Sequence, residues 1–116
     1  DLLAANLMEE ESKVWLIDWE YAGVGHPFFD IASLSGNCAL TKEEERFLLE
    51  AYLERPPNVK ELREVHILKT VSLLREALWA IIQQMIADID FDYGKYAADN
   101  FAAYLQAKRE LSMEDR

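Results

Sequence analysis

KVWLIDWEYAGVGHPFFDIA, Lys13–Ala32, is the stretch that decides the fold. Its first part, Val14–Ile17, is a short apolar run with β character that ends on Asp18. Tyr21–Pro27 follows with two glycines and a proline, the composition of a loop. Pro27 then opens an apolar helical run, with Asp30 just inside its start. Working back from Lys13, Asn6–Met8 is a second short β-compatible run, and Glu9–Ser12 is a polar turn between the two. Residues 6–19 therefore predict a β-hairpin.

Working forward, the rest reads as helix. FFDIASLSGNCAL, Phe28–Leu40, is a short apolar helix. TKEEERFLLEAYLE, Thr41–Glu54, carries a capping box, with Thr41 as N-cap and Glu44 three residues on. Its apolar residues Phe47, Leu48, Ala51 and Tyr52 share one stripe, and Pro56 and Pro57 end it. From about Asn58 to Asp88 the apolar spacing predicts one long helix or two in succession, and a last helix covers about Asp92 to Leu111. The expected fold class is mainly α with a small β-hairpin, in a single partial domain spanning 1–116. Residues 1–26 would form a loop-and-hairpin part and 27–116 a helical part. A lone two-stranded hairpin is marginal, so it must pack on the helices or on something absent from the chain.

Composition narrows the partners. The chain has 116 residues, 51% of them hydrophobic, which argues against disorder. A net charge of -10 disfavours nucleic acid and anionic membrane, and it suits a cationic ligand or simple solubility. No apolar run reaches 18 residues, so no membrane span is expected. The single cysteine, Cys38, lies in an apolar run and reads as a buried, reduced residue, in keeping with a cytoplasmic setting. His26 and His66 read as loop and helix-surface residues, and no zinc spacing is present.

Three acidic or amide pieces stand in an order that fits phosphoryl transfer. Asp1 and Asn6 are spaced D-x-x-x-x-N, Asp18 ends the apolar strand, and Asp30 sits at a helix start. The hairpin would bring Asn6 and Asp18 side by side. Phosphoryl transfer needs a carboxylate to orient or deprotonate the attacking hydroxyl and hard oxygen ligands for Mg²⁺. D-x-x-x-x-N alone is a weak signal, consistent with Asp1 as a cap and Asn6 in a turn. The full order is much more specific.

DLLAAN, IDWEY and FDIA resemble the signature of choline and ethanolamine kinases: H-N-D-x-x-x-x-N, then I-D-[FW]-E-Y, then F-D-[IL]-A. These belong to the wider group of aminoglycoside phosphotransferases and resemble protein kinases. ALWAIIQ and FDYGKYAADNFAAYLQAKRE resemble the family's C-terminal helices, so the similarity spans almost the whole chain. It implies the C-terminal, helical lobe of a protein-kinase-like α+β fold, with ATP as co-substrate, Mg²⁺ as cofactor, and a small cationic amino alcohol as substrate, within phospholipid metabolism. Position by position, the resemblance makes Asp1 the catalytic base, Asn6 and Asp18 the Mg²⁺ ligands, and Asp30 a brace for the catalytic loop at an N-cap-like position. It places Glu20 near metal or substrate, and Tyr21, Trp79 and Tyr96 in the walls of an amine pocket. Aromatic faces are the physical means of holding a quaternary ammonium, which has no N–H to donate. Core packing is the alternative for Trp79 and Tyr96, while Trp15 and Trp19 read as structural.

One departure bears on specificity. Family members with a full aromatic cage carry a second Trp three residues before position 79, where this chain has Glu76. A carboxylate there holds a cation and favours a primary ammonium, which offers hydrogen bonds. The histidine expected two residues before Asp1, a glycine-rich phosphate loop and a lysine–glutamate pair are not in the sequence, which suggests a piece of a longer enzyme. Such a piece would expose apolar surface and self-associate, as a dimer. Competing readings are a kinase of another cationic hydroxyl compound, such as thiamine or an aminoglycoside, and a non-catalytic helical interaction module.

Overall fold

The computed structural model describes residues 2–114. Glu11 and Ser12 form the two-residue loop of the hairpin, joining β1 (Leu7–Glu10) to β2 (Lys13–Leu16) in antiparallel register, Leu7 opposite Leu16 and Glu10 opposite Lys13. Both loop residues have positive φ, 49° and 64°, the backbone twist that lets a two-residue turn match its strands. A single 3₁₀ turn, Ala4–Asn6, leads into β1.

Four helices follow: α1 (Phe28–Asn37), α2 (Lys42–Leu53), α3 (Val59–Ile86) and α4 (Tyr93–Glu114). Local chemistry sets their ends. The α1 start is held by His26, whose Nδ1 accepts the Phe28 N–H at 3.1 Å. His26 is thus a cap rather than a plain loop residue. Asp30 is the third residue of α1, not a cap, in the first turn where the helix dipole favours a carboxylate. Thr41 and Glu44 form the expected capping box of α2, and Asn58 and Glu61 form a second one at α3. Arg55 grips the Glu61 carboxylate through two nitrogens. The Arg55 hydrogen bonds, then the Asn58 N–H, lower the Glu61 carboxyl to about 2.

The predicted long helix is unbroken. Its 28 residues give α3 a length of about 42 Å, nearly the 45 Å extent of the molecule. Both α1 and α4 pack along it, and α2 packs on α1. The core is Phe28, Ile31, Ala32, Leu49 and Val65. Gly36 permits the close approach of α1 to α3, since a Cβ there would stand 3.3 Å from Leu73 Cδ2. On the other side, α3 buries Ala77 and Ala80 and α4 buries Ala97 and Ala107. A buried polar knot ties three helices together: Ser35 Oγ of α1 and Lys69 Nζ of α3 both donate to Glu45 Oε2 of α2, the lysine at 3.0 Å.

Several expectations are corrected here. The first apolar helix stops at Asn37, and Cys38, its C-cap, is only half-buried. His66 is buried rather than on the surface, with 9% of its area exposed, facing Glu110 and Glu114 of α4 at 3.9 and 3.4 Å. Trp15 and Trp19 are exposed, so neither fills a core among the described residues. The hairpin stands apart from the helix–helix packing, with Met8 and Val14 also exposed, as are Ile82, Met85 and Ile86 on α3. No helix among the described residues is long and apolar enough to cross a membrane.

Candidate active site

Two groups of predicted site residues take shape. At the open end of the hairpin, the Ile17 N–H donates to the Asn6 carbonyl at 3.0 Å, extending the β1–β2 register by one pair. Asn6 is thereby one residue out of register with Asp18. Asp18 itself has φ 61°, in the left-handed region. A carboxylate residue held there at the end of a strand is an uncommon conformation, of the kind found where function demands a particular side-chain direction. Both side chains carry hard oxygen donors suited to Mg²⁺. Among the described residues no three His, Cys, Asp or Glu side chains gather as a metal site.

The second group lies between the C-terminal half of α3 and the start of α4. Glu76 is only 6% exposed, and its carboxylate accepts from the Tyr96 hydroxyl at 3.2 Å and from Arg75 Nη2 at 2.9 Å. Burial first, then the Glu76 charge, push the Tyr96 phenol above its ordinary value. Trp79, 38% exposed, meets Tyr93 edge-on at 6.0 Å between ring centroids. Phe91 connects Tyr93 at 4.9 Å to Tyr96 at 5.8 Å. Trp79, Tyr93, Phe91 and Tyr96 therefore form one chain of aromatic edges and faces ending at a buried carboxylate. That combination attracts a cation through ring quadrupoles and a fixed charge.

Arg75 links this group to the element carrying Asp30. Its guanidinium lies over the Phe29 ring of α1, 5.5 Å from the centroid, while Nη2 holds Glu76. Asp30 is exposed, and among the described residues its carboxylate has no hydrogen-bond partner. Glu20 and Tyr21 lie in an exposed turn closed by the Ala22 N–H on the Trp19 carbonyl, and Tyr21 makes no ring contact with the described residues. Asp1, the expected base, lies outside the described residues.

Phe91, Tyr93 and Arg75 were not anticipated as site residues. Phe91 and Tyr93 stand beside Tyr96 in FDYGKY, so an odd-spaced aromatic run at a helix start was the available signal. A groove of about 550 Å³ lies elsewhere, among Glu45, His66, Lys69 and Glu110, and shares no lining residue with either group. Its charged side chains are largely spent on one another, through the Lys69–Glu45 pair and His66 with Glu110 and Glu114.

Comparison with known proteins places this arrangement. Over 96% of its length the chain is 30% identical to Protein LicA of Haemophilus influenzae, covering 43% of that protein. It is 32% identical to Ethanolamine kinase 2 of Homo sapiens over 97% of this chain and 34% of the human protein. The crystal structure of a choline/ethanolamine kinase family protein from Mesorhizobium loti superimposes with a TM-score of 0.83 at 27% identity, over 95% of this chain and 40% of that one. The chain thus spans less than half the length of these relatives. The mostly helical architecture with one hairpin matches that kinase-like fold, and the profile of the Phosphotransferase enzyme family covers residues 1–65, which hold the hairpin, the Asp18 turn and α1. Hence the chain belongs to the phosphotransferase enzyme family.

Proposed function

We propose that this chain forms the catalytic and substrate-binding part of an ATP-dependent kinase that phosphorylates the hydroxyl of a small amino alcohol, ethanolamine or choline. The observation that carries the reading is the aromatic chain Trp79–Tyr93–Phe91–Tyr96 closed by the buried Glu76 carboxylate. Glu76 already spends its oxygens on Tyr96 and Arg75, so it acts on the ammonium as a fixed field and sets the Tyr96 ring in place. The absence of a second tryptophan at this position favours ethanolamine, whose N–H groups use oxygen acceptors, over choline.

Asp1 serves as the base that takes the substrate hydroxyl proton. Asn6 and Asp18 would hold Mg²⁺, which neutralises phosphate charge during transfer. Glu20 and Tyr21 border the substrate from the turn after Asp18, and Asp30 braces the catalytic loop. The acidic surface draws in a cationic substrate, and the enzyme works in the cytoplasm, where ATP is available and Cys38 stays reduced.

The test joins the chain to a nucleotide-binding lobe and measures ATP-dependent phosphate transfer with Mg²⁺ to ethanolamine, choline, thiamine and an aminoglycoside. Transfer to ethanolamine above the others is expected. Transfer to none would overturn the reading. Self-association of the 116-residue chain alone, through its exposed Trp15, Ile82 and Met85, would appear as a dimer mass in light scattering.

A further inference from the structure

A contact 35 residues apart in sequence ties α1 to the backbone beside Asp1: Asn37 Nδ2 donates to the Leu2 carbonyl at 2.8 Å. The amide is oriented from below by Ser33, itself fully buried, at 3.3 Å. The same segment is pinned at its other end. The Asn6 N–H closes the 3₁₀ turn on the Leu3 carbonyl at 2.9 Å, and the Asn6 carbonyl accepts from Ile17 beside Asp18. Residues 2–6 are therefore stretched between two anchors, Asn37 on α1 and Ile17 on the hairpin. The Asn37 Oδ1 atom is buried and has no hydrogen-bond partner among the described residues. Buried polar atoms in folded proteins are satisfied in the great majority of cases. This oxygen calls for a hydrogen-bond donor, and the segment lying against the amide at Leu2 adjoins Asp1 in sequence.

We propose that Asn37 is a positioning residue for phosphoryl transfer, an amide clamp that fixes the catalytic loop at Leu2 and so sets the separation between the Asp1 base and the Asn6 and Asp18 ligands. This rests on the kinase reading above. Asn37 touches neither substrate nor metal ligand. It acts through the Leu2 carbonyl, and its effect falls on the reaction step, because small displacements of a reacting group cost rate without costing binding.

Asn37→Asp keeps the size and turns the donor into a second oxygen facing the Leu2 carbonyl. Ser33→Ala removes the second contact of the amide and leaves the Leu2 contact in place. In the lobe-joined kinase, Asn37→Asp is expected to lower kcat by about tenfold or more with both KM values within about twofold. Ser33→Ala, which loosens the amide but keeps its Leu2 contact, is expected to lower kcat by less than Asn37→Asp does. In hydrogen exchange, Asn37→Asp speeds segment 2–7 on the order of tenfold while α3 keeps its protection. Unchanged kcat per folded molecule, or exchange rising equally across α1 and α3, would overturn the clamp and assign Asn37 to helix packing alone. Should Asn37→Asp lose its cooperative melt, Asn37→Ser, whose hydroxyl falls short of Leu2, takes its place with the same two outcomes. A wild-type enzyme that transfers no phosphate would overturn the kinase reading, and the positioning role with it, whatever the exchange shows.

Discussion

The Tyr96 hydroxyl of α4 donates to the Glu76 carboxylate of α3 at 3.2 Å, in a place where Glu76 is almost fully sealed from water. Two helices that pack largely through alanines thus share one polar contact at the aromatic end of their interface. Without the Tyr96 hydroxyl, Glu76 Oε2 loses its donor while Arg75 still holds Oε1, so Tyr96→Phe is expected to destabilise the fold by about 1–3 kcal/mol. Urea denaturation of the two proteins at neutral pH measures it. The raised Tyr96 phenol also fixes a pH dependence. The folded state holds the proton more tightly than the unfolded one, so the contribution is complete below the ordinary tyrosine value of 10.0 and declines above it. A stability difference between wild type and Tyr96→Phe that does not shrink above pH 10.0 would contradict this.

The knot at Glu45 is the second place where one side chain holds several elements. Lys69→Met removes the charge that compensates Glu45 and leaves that carboxylate with the Ser35 hydroxyl. Breaking a mostly buried pair from one side leaves an uncompensated charge, and the expected loss is about 3 kcal/mol. The double variant Lys69→Met with Glu45→Gln should recover part of it, because the stranded charge is gone. Thermal melts of the three proteins separate these outcomes, and equal melts for the single and double variants would place the stabilisation elsewhere.

Much of this architecture was legible in the sequence, and the failures have physical causes. Thr41 and Glu44 announced α2 because a capping box is local chemistry, read from four adjacent residues. The hairpin was legible from alternating apolar runs around a polar turn, although Glu11 and Ser12 adopt positive φ without the usual glycine or asparagine. Long-range placement was not legible. His66 looked like a surface residue because its neighbours on α3 do not reveal that Glu110 and Glu114 will return against it. Likewise Asn37 gave no signal, since its partner, the Leu2 carbonyl, is backbone and lies 35 residues away. Family resemblance singled out Trp79, Tyr96 and Glu76, and the structure places the three along one chain of aromatic and polar contacts. Phe91 and Tyr93 join them only because the loop before α4 folds back over α3.

Acid should remove the charge from the α3 cap only at low pH, since its carboxyl is held below the ordinary carboxylate value. Glu61 at the start of α3 is lowered from 4.5 to about 2, chiefly by the Arg55 hydrogen bonds. A depressed carboxyl stabilises the folded state above its unfolded value and loses that contribution as pH falls through the folded one. Glu61→Gln should therefore lower the melting temperature by a constant amount above pH 4.5, and the gap should close between 4.5 and about 2. Arg55 is exposed, so added salt should narrow the gap at neutral pH as well. A gap independent of pH over that range would show that the cap works through its backbone hydrogen bonds without its charge.

The fixed field of Glu76 makes a prediction about substrate that is separate from its structural contact. Glu76→Gln preserves the side-chain length and an acceptor for Tyr96 while deleting the charge beside the aromatic chain. In the lobe-joined kinase, the KM for ethanolamine is expected to rise roughly tenfold, about 1.4 kcal/mol, with the KM for ATP unchanged. Choline should lose less, since its methylated nitrogen spreads its charge over the aromatic faces and depends less on one carboxylate. The ratio of kcat/KM for ethanolamine over choline should consequently fall in Glu76→Gln. An equal loss for both substrates would make Glu76 a general electrostatic anchor, and a rise in the KM for ATP would move its influence away from the aromatic chain altogether.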